Sequence, residues 1–411
     1  MTASPAYATA QPVRFPNRRA DRSYLRTPAV LFAIPCAVLA QLFLSANTTT
    51  PNYALAQAAA VTATMAIVGP IVALCAAWEA FTLRSLWGRL TVSRSWWRVL
   101  VQRLTPVLAV GVLVQAMLYV VALLQLPDPA WPGWQLPFLS LLGVVAWTFF
   151  GAATALVLGR LLAMTVALLV PYLALTLPAG WQPFWLRHVN GSPFDCCSTS
   201  DVLDPRVTIG SAGVLGTILL LSLCVARVRL APSQHRPWLA AAVAVAALIA
   251  GGACVSAATG LGAMPTKPRS ADALVCREDV CLWPEDGEAL AANRDGWAAV
   301  REAWRGLGLT VPENARIAPV SAGGRLALTT TATDVDSAKT TMAQLLPRAL
   351  TGCLGDFDDP ARNDKFDRLS VLLASRLTFA DPEARAVTVP DPQPVPADAE
   401  SLWRAVGRCG S

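Results

Sequence analysis

Charge is scarce in this 411-residue chain. Only 15% of its residues are Asp, Glu, Lys or Arg, while 54% are hydrophobic; soluble domains carry roughly 25% charged residues. Histidine is scarcer still. There are two, His188 and His235, and none follows residue 235. The C-terminal part therefore holds neither an H-E-x-x-H zinc site nor a Ser–His–Asp triad. No G-x-x-x-x-G-K-[ST] phosphate-binding loop occurs, so the chain has no nucleotide-hydrolysing loop of that kind. Carboxylates are missing from the middle of the apolar runs, which argues against an ion pump built on buried acids. From these gaps we expect no enzyme activity, no catalytic residue, no cofactor and no metal site.

What is present is a series of long apolar runs. A helix needs ~20 apolar residues to cross ~30 Å of hydrocarbon. Seven runs qualify, at about 28–46, 54–78, 104–126, 135–158, 161–178, 208–226 and 237–259. The fourth and fifth are nearly continuous, at about twice the length a bilayer hides, so the chain must fold back between them. Arg160, beside Gly159, marks the turn, because an arginine at mid-bilayer costs several kcal/mol.

Arginines set the expected orientation. With the N-terminus inside, the inner segments hold 14 arginines and the outer loops only Arg187 and Arg206. This gives a basic cytoplasmic segment 1–27, a membrane domain 28–259 and an extracytoplasmic domain 260–411. The fold class expected is mainly α: a polytopic bundle of about seven spans, N-in and C-out, carrying a small α+β domain. The protein is then a multi-pass plasma-membrane protein with an extracellular C-terminal domain. The polar lead and the lack of a clean A-x-A site disfavour a cleaved signal sequence. Residues 1–259 hold 16 arginines against six acids, and residues 260–411 hold 17 basic against 21 acidic residues. The basic excess belongs to the membrane part, so no nucleic-acid partner is expected.

Ten cysteines test this scheme. Cys36, Cys75, Cys224 and Cys254 fall in spans, where a thiol is a small apolar filler. Cys196, Cys197, Cys276, Cys281, Cys353 and Cys409 all fall outside, where disulfides form. "VCREDVC" reads as a tight hairpin that bridges Cys276 to Cys281. Cys353–Cys409 would then pin the end of the chain. A bridge between adjacent residues is strained, so Cys196 and Cys197 are expected to pair elsewhere, or to stay free. C-x4-C without a following histidine is a poor zinc spacing.

In the outer part, helical spacing of Leu290, Trp297, Val300, Trp304 and Leu307 follows the hairpin. "RIAPV", "RLALTT" and "ARAVTV" read as strands. Helices are expected over 337–350, through "KFDRLSVLLASRL", and around Trp403. The acidic run "GDFDDPARNDKFD" lacks the order of a calcium loop and reads as a solvated helix start.

The connector "AWEAFTLRSLWGRLTVSRSWWRVLVQR", residues 77–103, gathers five arginines and four tryptophans. Its spacing predicts an amphipathic helix on the inner membrane face, interrupted near 88–93, with indoles at headgroup level and arginines toward lipid or water. Through "WEAFTLRSLWGRLTVSRSWWRVLVQRLTPVLAVGVLVQ" the chain resembles the second-to-third span connector of ABC-2-type transporter permeases. Glu79 stands for the acid that leaves the second span and "TVSR" for the turn into the third, with Thr91 where proline is usual. "FFGAATALVLGRLLAMTVALLVPYLAL" is similar to that family's fourth and fifth spans. The outer loop 179–207 stands where relatives carry short re-entrant helices. The resemblance covers residues 28–230; a seventh span and the outer domain depart from it. Throughout, including the C-x4-C-x-x-P start of the outer domain, the chain also resembles an uncharacterised group of actinobacterial membrane proteins.

The resemblance implies the membrane subunit of an ABC-type exporter. A separate cytoplasmic ATPase would couple through Glu79, Arg84, Arg89, Arg94 and Arg98, in a homodimer or a heterodimer with a second permease, among membrane lipid. The apolar spans, whose polar groups are Gln41, Gln57, Gln115 and Gln125, suit a hydrophobic or amphiphilic cargo. The alternative is a non-transporting sensor or scaffold whose outer domain binds an envelope ligand.

Overall fold

The computed structural model describes residues 27–46, 52–87, 95–126, 130–193, 196–231, 237–262, 264–311, 315–320, 325–351, 360–380 and 399–406. Among the described residues, seven helical segments are long and apolar enough to cross a membrane. They are α1 (Pro28–Ala46), the pair α2 (Ala54–Ala63) and α3 (Met65–Trp87), α4 (Trp96–Leu124), α5 (Gln135–Val157), α6 (Arg160–Thr176), α7 (Pro205–Leu230) and α8 (Pro237–Ala258). The long fourth and fifth runs do fold back at Leu158 and Gly159, and Arg160 opens α6.

The connector departs from its expected form. Residues 79–87 continue α3 and residues 96–103 begin α4, rather than forming a separate surface helix. Each arm is anchored in the bundle core by a buried leucine, Leu83 in the first and Leu100 in the second. Residues 88–94, with Arg89 and Arg94, lie outside the described residues.

At the centre of the bundle, α3 packs against α1, α4, α5 and α6, and α5 also packs against α7. Lipid tails are as apolar as leucine, so spans associate through close van der Waals contact, which small residues permit. Gly151 of α5 lies so close to the Ala73 backbone of α3 that no Cβ fits there. The last span stands apart. α8 packs on α7, where Gly213 faces Cys254 and Gly251 faces Thr217. The Thr217 hydroxyl donates to Gly213 O at 2.8 Å and to Ala247 O at 3.1 Å. Only 11% of the α8 span is buried, and Trp238, Leu248 and Ile249 point outward. A helix apolar on all sides and so little covered is stable in hydrocarbon, not in water.

The C-terminal region is a small α+β unit. Strands β1 (Asp201–Leu203) and β2 (Thr266–Pro268) pair antiparallel. A second sheet has the order β3 (Val275–Arg277), β4 (Val280–Leu282), β5 (Ile317–Ala318), β6 (Leu326–Ala327). The β3–β4 hairpin sets Cys276 opposite Cys281, with Glu278 left-handed in the turn, and the two sulfurs bond at 2.07 Å. A short 3-10 turn over Pro284–Ala289 precedes α9 (Leu290–Gly306), and α10 (Val335–Thr351), α11 (Pro360–Ser375) and α12 (Ala399–Val406) complete the unit. Trp297, Trp304, Leu346 and Leu373 form its core. Within the acidic run, Asp364 pairs with Arg368 and Asp367 with Arg348, as a solvated helix face does. "ARAVTV", Cys353 and Cys409 lie outside the described residues.

Candidate functional site

Three polar clusters stand out among the described residues. The first is at the arginine end, where α3 and α5 finish and α4 and α6 begin. Arg84 reaches across from α3 and donates to the carbonyls of Leu158 (2.9 Å) and Ala155 (3.3 Å). These are orphan acceptors at the end of α5, and a cation there also meets the negative end of the helix dipole. Arg160 lies 4.6 Å from the Trp78 ring centroid and 5.9 Å from that of Phe81. Glu79 is 7% exposed, within the field of Arg103 on α4. Trp97 stacks on Phe149 of α5 at 5.8 Å, and Arg98 is exposed. Of the described coupling residues, then, Glu79 is buried in the bundle, while Arg84 and Arg98 are exposed and Arg84 is tied to the end of α5.

The second cluster lies ten residues into the span formed by α2 and α3, ~15 Å from its start. Thr62 donates to Ala58 O (2.8 Å) and Thr64 to Val61 O (2.6 Å). At Thr64 the backbone N–H bonds Val61 O, three residues back, and α2 ends there. Hydroxyls that bond back to their own helix bend it, and a tightened turn inside a helix marks a hinge. The neighbours complete a polar knot. Tyr119 Oη of α4 bonds Thr62 Oγ1 (2.8 Å) and Ser140 Oγ of α5 (3.0 Å). Gln115 Nε2 donates to Thr64 Oγ1 at 3.2 Å, while its Oε1 is buried without a partner among the described residues. Gln115 and Gln57 were legible as polar residues in apolar runs. Thr62, Thr64, Tyr119 and Ser140 were not, although paired hydroxyls two residues apart are a signal for such a kink.

The third cluster joins the bundle to the C-terminal domain. Arg269 lies over the rings of Trp283 (4.7 Å) and Tyr53 (5.6 Å). Its guanidinium bonds Glu285 Oε2 (2.9 Å) and Thr199 O (3.3 Å), and its backbone N–H donates to Ser200 O (2.8 Å). Tyr53, at the start of α2, donates its hydroxyl to Asp201 O at 2.8 Å. Beside them, burial and then the Glu285 carboxylate raise the Asp286 pKa, opposed by a hydrogen bond with Thr199 and by Arg269. Under this joint Cys196 and Cys197 are buried among Tyr53, Leu55, Leu136 and Leu203. The structure bonds these two sulfurs to each other, where the sequence favoured separate partners. They are enclosed in a patch that brings no other described cysteine to them. Sequence reading missed Arg269, because its partners come from three distant segments.

Among the described residues no group of three metal-ligating side chains occurs. Compared with known proteins, the chain matches no family model, no curated protein and no solved structure.

Proposed function

We propose that this protein is the membrane subunit of an ATP-driven exporter of a hydrophobic or amphiphilic substance, powered by a separate ATPase at the arginine end, which faces the cytosol. The observation that carries the reading is the second span. It is broken at Thr64, beside a polar knot shared with α4 and α5, and we read that break as a hinge. It ends at the arginine end with Arg84 fastened to the last carbonyls of α5. A push on the α3–α4 connector would travel along α3 and be absorbed at that hinge, moving α5 with it. The apolar walls of the spans suit a greasy cargo, and the missing mid-span carboxylates argue against ions. On this orientation the C-terminal domain lies outside the cell, in keeping with the Cys276–Cys281 bridge.

The test is isolation of the full chain in mild detergent from its own cells. An ATPase carrying a phosphate-binding loop should be retained in stoichiometric amount. Arg98→Glu should release it without changing thermal stability. Arg84→Ala should instead lower the stability of the bundle by about 1 kcal/mol, the charged hydrogen bond being weakened by its exposure. A folded, monodisperse protein that retains no ATPase overturns the reading.

The joint at Arg269 favours a second reading, a sensor or scaffold that passes a ligand signal from the outer domain into α2. That reading expects an envelope extract to raise the unfolding temperature of the C-terminal domain while no cargo moves across the membrane.

A further inference from the structure

We propose that the crevice between α3 and α6 is a binding site for an anionic phospholipid, with the headgroup at Arg160 and one acyl chain lying along the crevice. Two observations meet there. The first is an apolar groove of about 300 Å³, lined by Ile67, Pro70 and Ile71 of α3 and Leu168, Leu169 and Tyr172 of α6. The second is a cation about two helical turns before Leu168, at the start of α6. Arg160 is exposed, rests on the Trp78 and Phe81 rings, and makes no ion pair among the described residues. Glu79, next in sequence to Trp78, is buried, and the cation that acts on it is Arg103.

The two features belong to one surface. On α6, Leu161, Thr165, Leu168 and Tyr172 recur at spacings of four, three and four and are all exposed. That spacing is one face of a helix. On α3, Trp78, Leu74, Ile71 and Ile67 follow the same spacing in the opposite direction and are exposed or half-buried. The helices run antiparallel: Arg160 meets Trp78 at one end, and Leu175 faces Gly69 near the other. The twelve residues from Arg160 to Tyr172 span ~18 Å of helix, close to the depth of one leaflet in a ~30 Å hydrocarbon layer. A lipid whose phosphate lies against Arg160 therefore lays its chain along the whole groove. The guanidinium supplies the preference for negative charge, and a headgroup at Arg160 would also meet the Trp78 indole, a side chain suited to headgroup level. This inference rests on the geometry of α3 and α6 and needs no ATPase or transport.

The full chain is purified, stripped of lipid and offered equal amounts of phosphatidylglycerol and phosphatidylcholine, and retained lipid is counted by native mass spectrometry. Wild-type protein should retain the anionic lipid at least fivefold over the zwitterionic one. Arg160→Gln should bring that ratio near one, and Arg160→Lys should restore most of it. Leu168→Trp, which fills the groove, should reduce retention of both lipids; Thr165→Trp replaces it if that variant is not monodisperse. Arg98→Gln, on α4 away from the crevice, should leave the ratio unchanged. Equal retention of the two lipids by wild type overturns the proposal. So does a ratio unmoved by Arg160→Gln, or retention unmoved by the groove-filling variant.

Discussion

Where α3 and α5 come closest, small residues meet: Gly151 lies against the Ala73 backbone, with Ala76, Val72, Ala152 and Ala155 buried nearby in sequence. Between α9, α10 and α12 the buried residues are Trp304, Trp297, Met342 and Leu346, with Trp403 edge-on to Trp304 at 5.4 Å. The contrast follows from the two solvents. In water, the C-terminal domain gains from every apolar surface it hides, at roughly 25 cal/mol per Å², so large side chains go inside. In hydrocarbon that gain vanishes. Large side chains such as Leu31, Leu161 and Ile249 can face lipid, and close approach of backbones holds the spans together. The bundle buries large side chains too, Trp147 and Phe149 among them, but it differs from the C-terminal domain in also leaving many on its surface.

Several changes would break or sharpen this contrast. The largest effect is expected from Gly151→Val, because the new Cβ collides with the backbone of Ala73, which cannot swing aside. The expected outcome is loss of monodisperse protein on size exclusion in detergent. Trp304→Ala should leave the bundle assembled and cost the C-terminal domain ~3–5 kcal/mol. Limited proteolysis should then cut within residues 290–351 while the span fragments persist. If the bundle collapsed as well, the two cores would not be separable.

Arg269→Ala is aimed at the joint. It leaves Glu285, 18% exposed, without its cation and uncovers Trp283 and Tyr53. We expect a loss of roughly 2 kcal/mol, below the 3–5 kcal/mol of a fully buried pair because solvent reaches this one. Faster hydrogen exchange confined to 201–203 and 266–268 is the readout. Replacing Cys276 and Cys281 by serine should cost about 2 kcal/mol, small because the closed loop is short. Thermal unfolding with and without reductant checks it.

The smallest expected effect is a helix cap. The Asp334 carboxylate accepts from Ser337 N at 2.7 Å, and that bond holds its pKa below the usual value. A depressed acid stabilises the fold above its unfolded pKa and loses that contribution as pH falls through the folded one. Asp334→Ala should therefore cost ~1 kcal/mol at neutral pH, and the difference from wild type should vanish in acid. Asp286 runs the other way. Its raised pKa makes its ionisation unfavourable in the fold, so its contribution favours the joint in acid and falls as pH rises through the carboxylate range.

Periodicity and length by themselves determined the seven spans, the turn before Arg160, the Cys276–Cys281 hairpin and the α+β character of the tail. Each depends on neighbours in the chain, so local pattern contains it. The polar knot around Thr64, the Arg84 contact with α5 and the Arg269 joint were decided only by tertiary structure. Thr62, Tyr119 and Ser140 are far apart in the sequence, as are Tyr53, Thr199, Arg269 and Trp283. The connector shows the limit from the other side. Its described arginines Arg84 and Arg98 are exposed, as a basic face requires, but Arg84 also bonds the last carbonyls of α5, a partner from a helix about seventy residues away. A side chain's type fixes what it is able to bond, and the packing of helices distant in sequence fixes what it does bond.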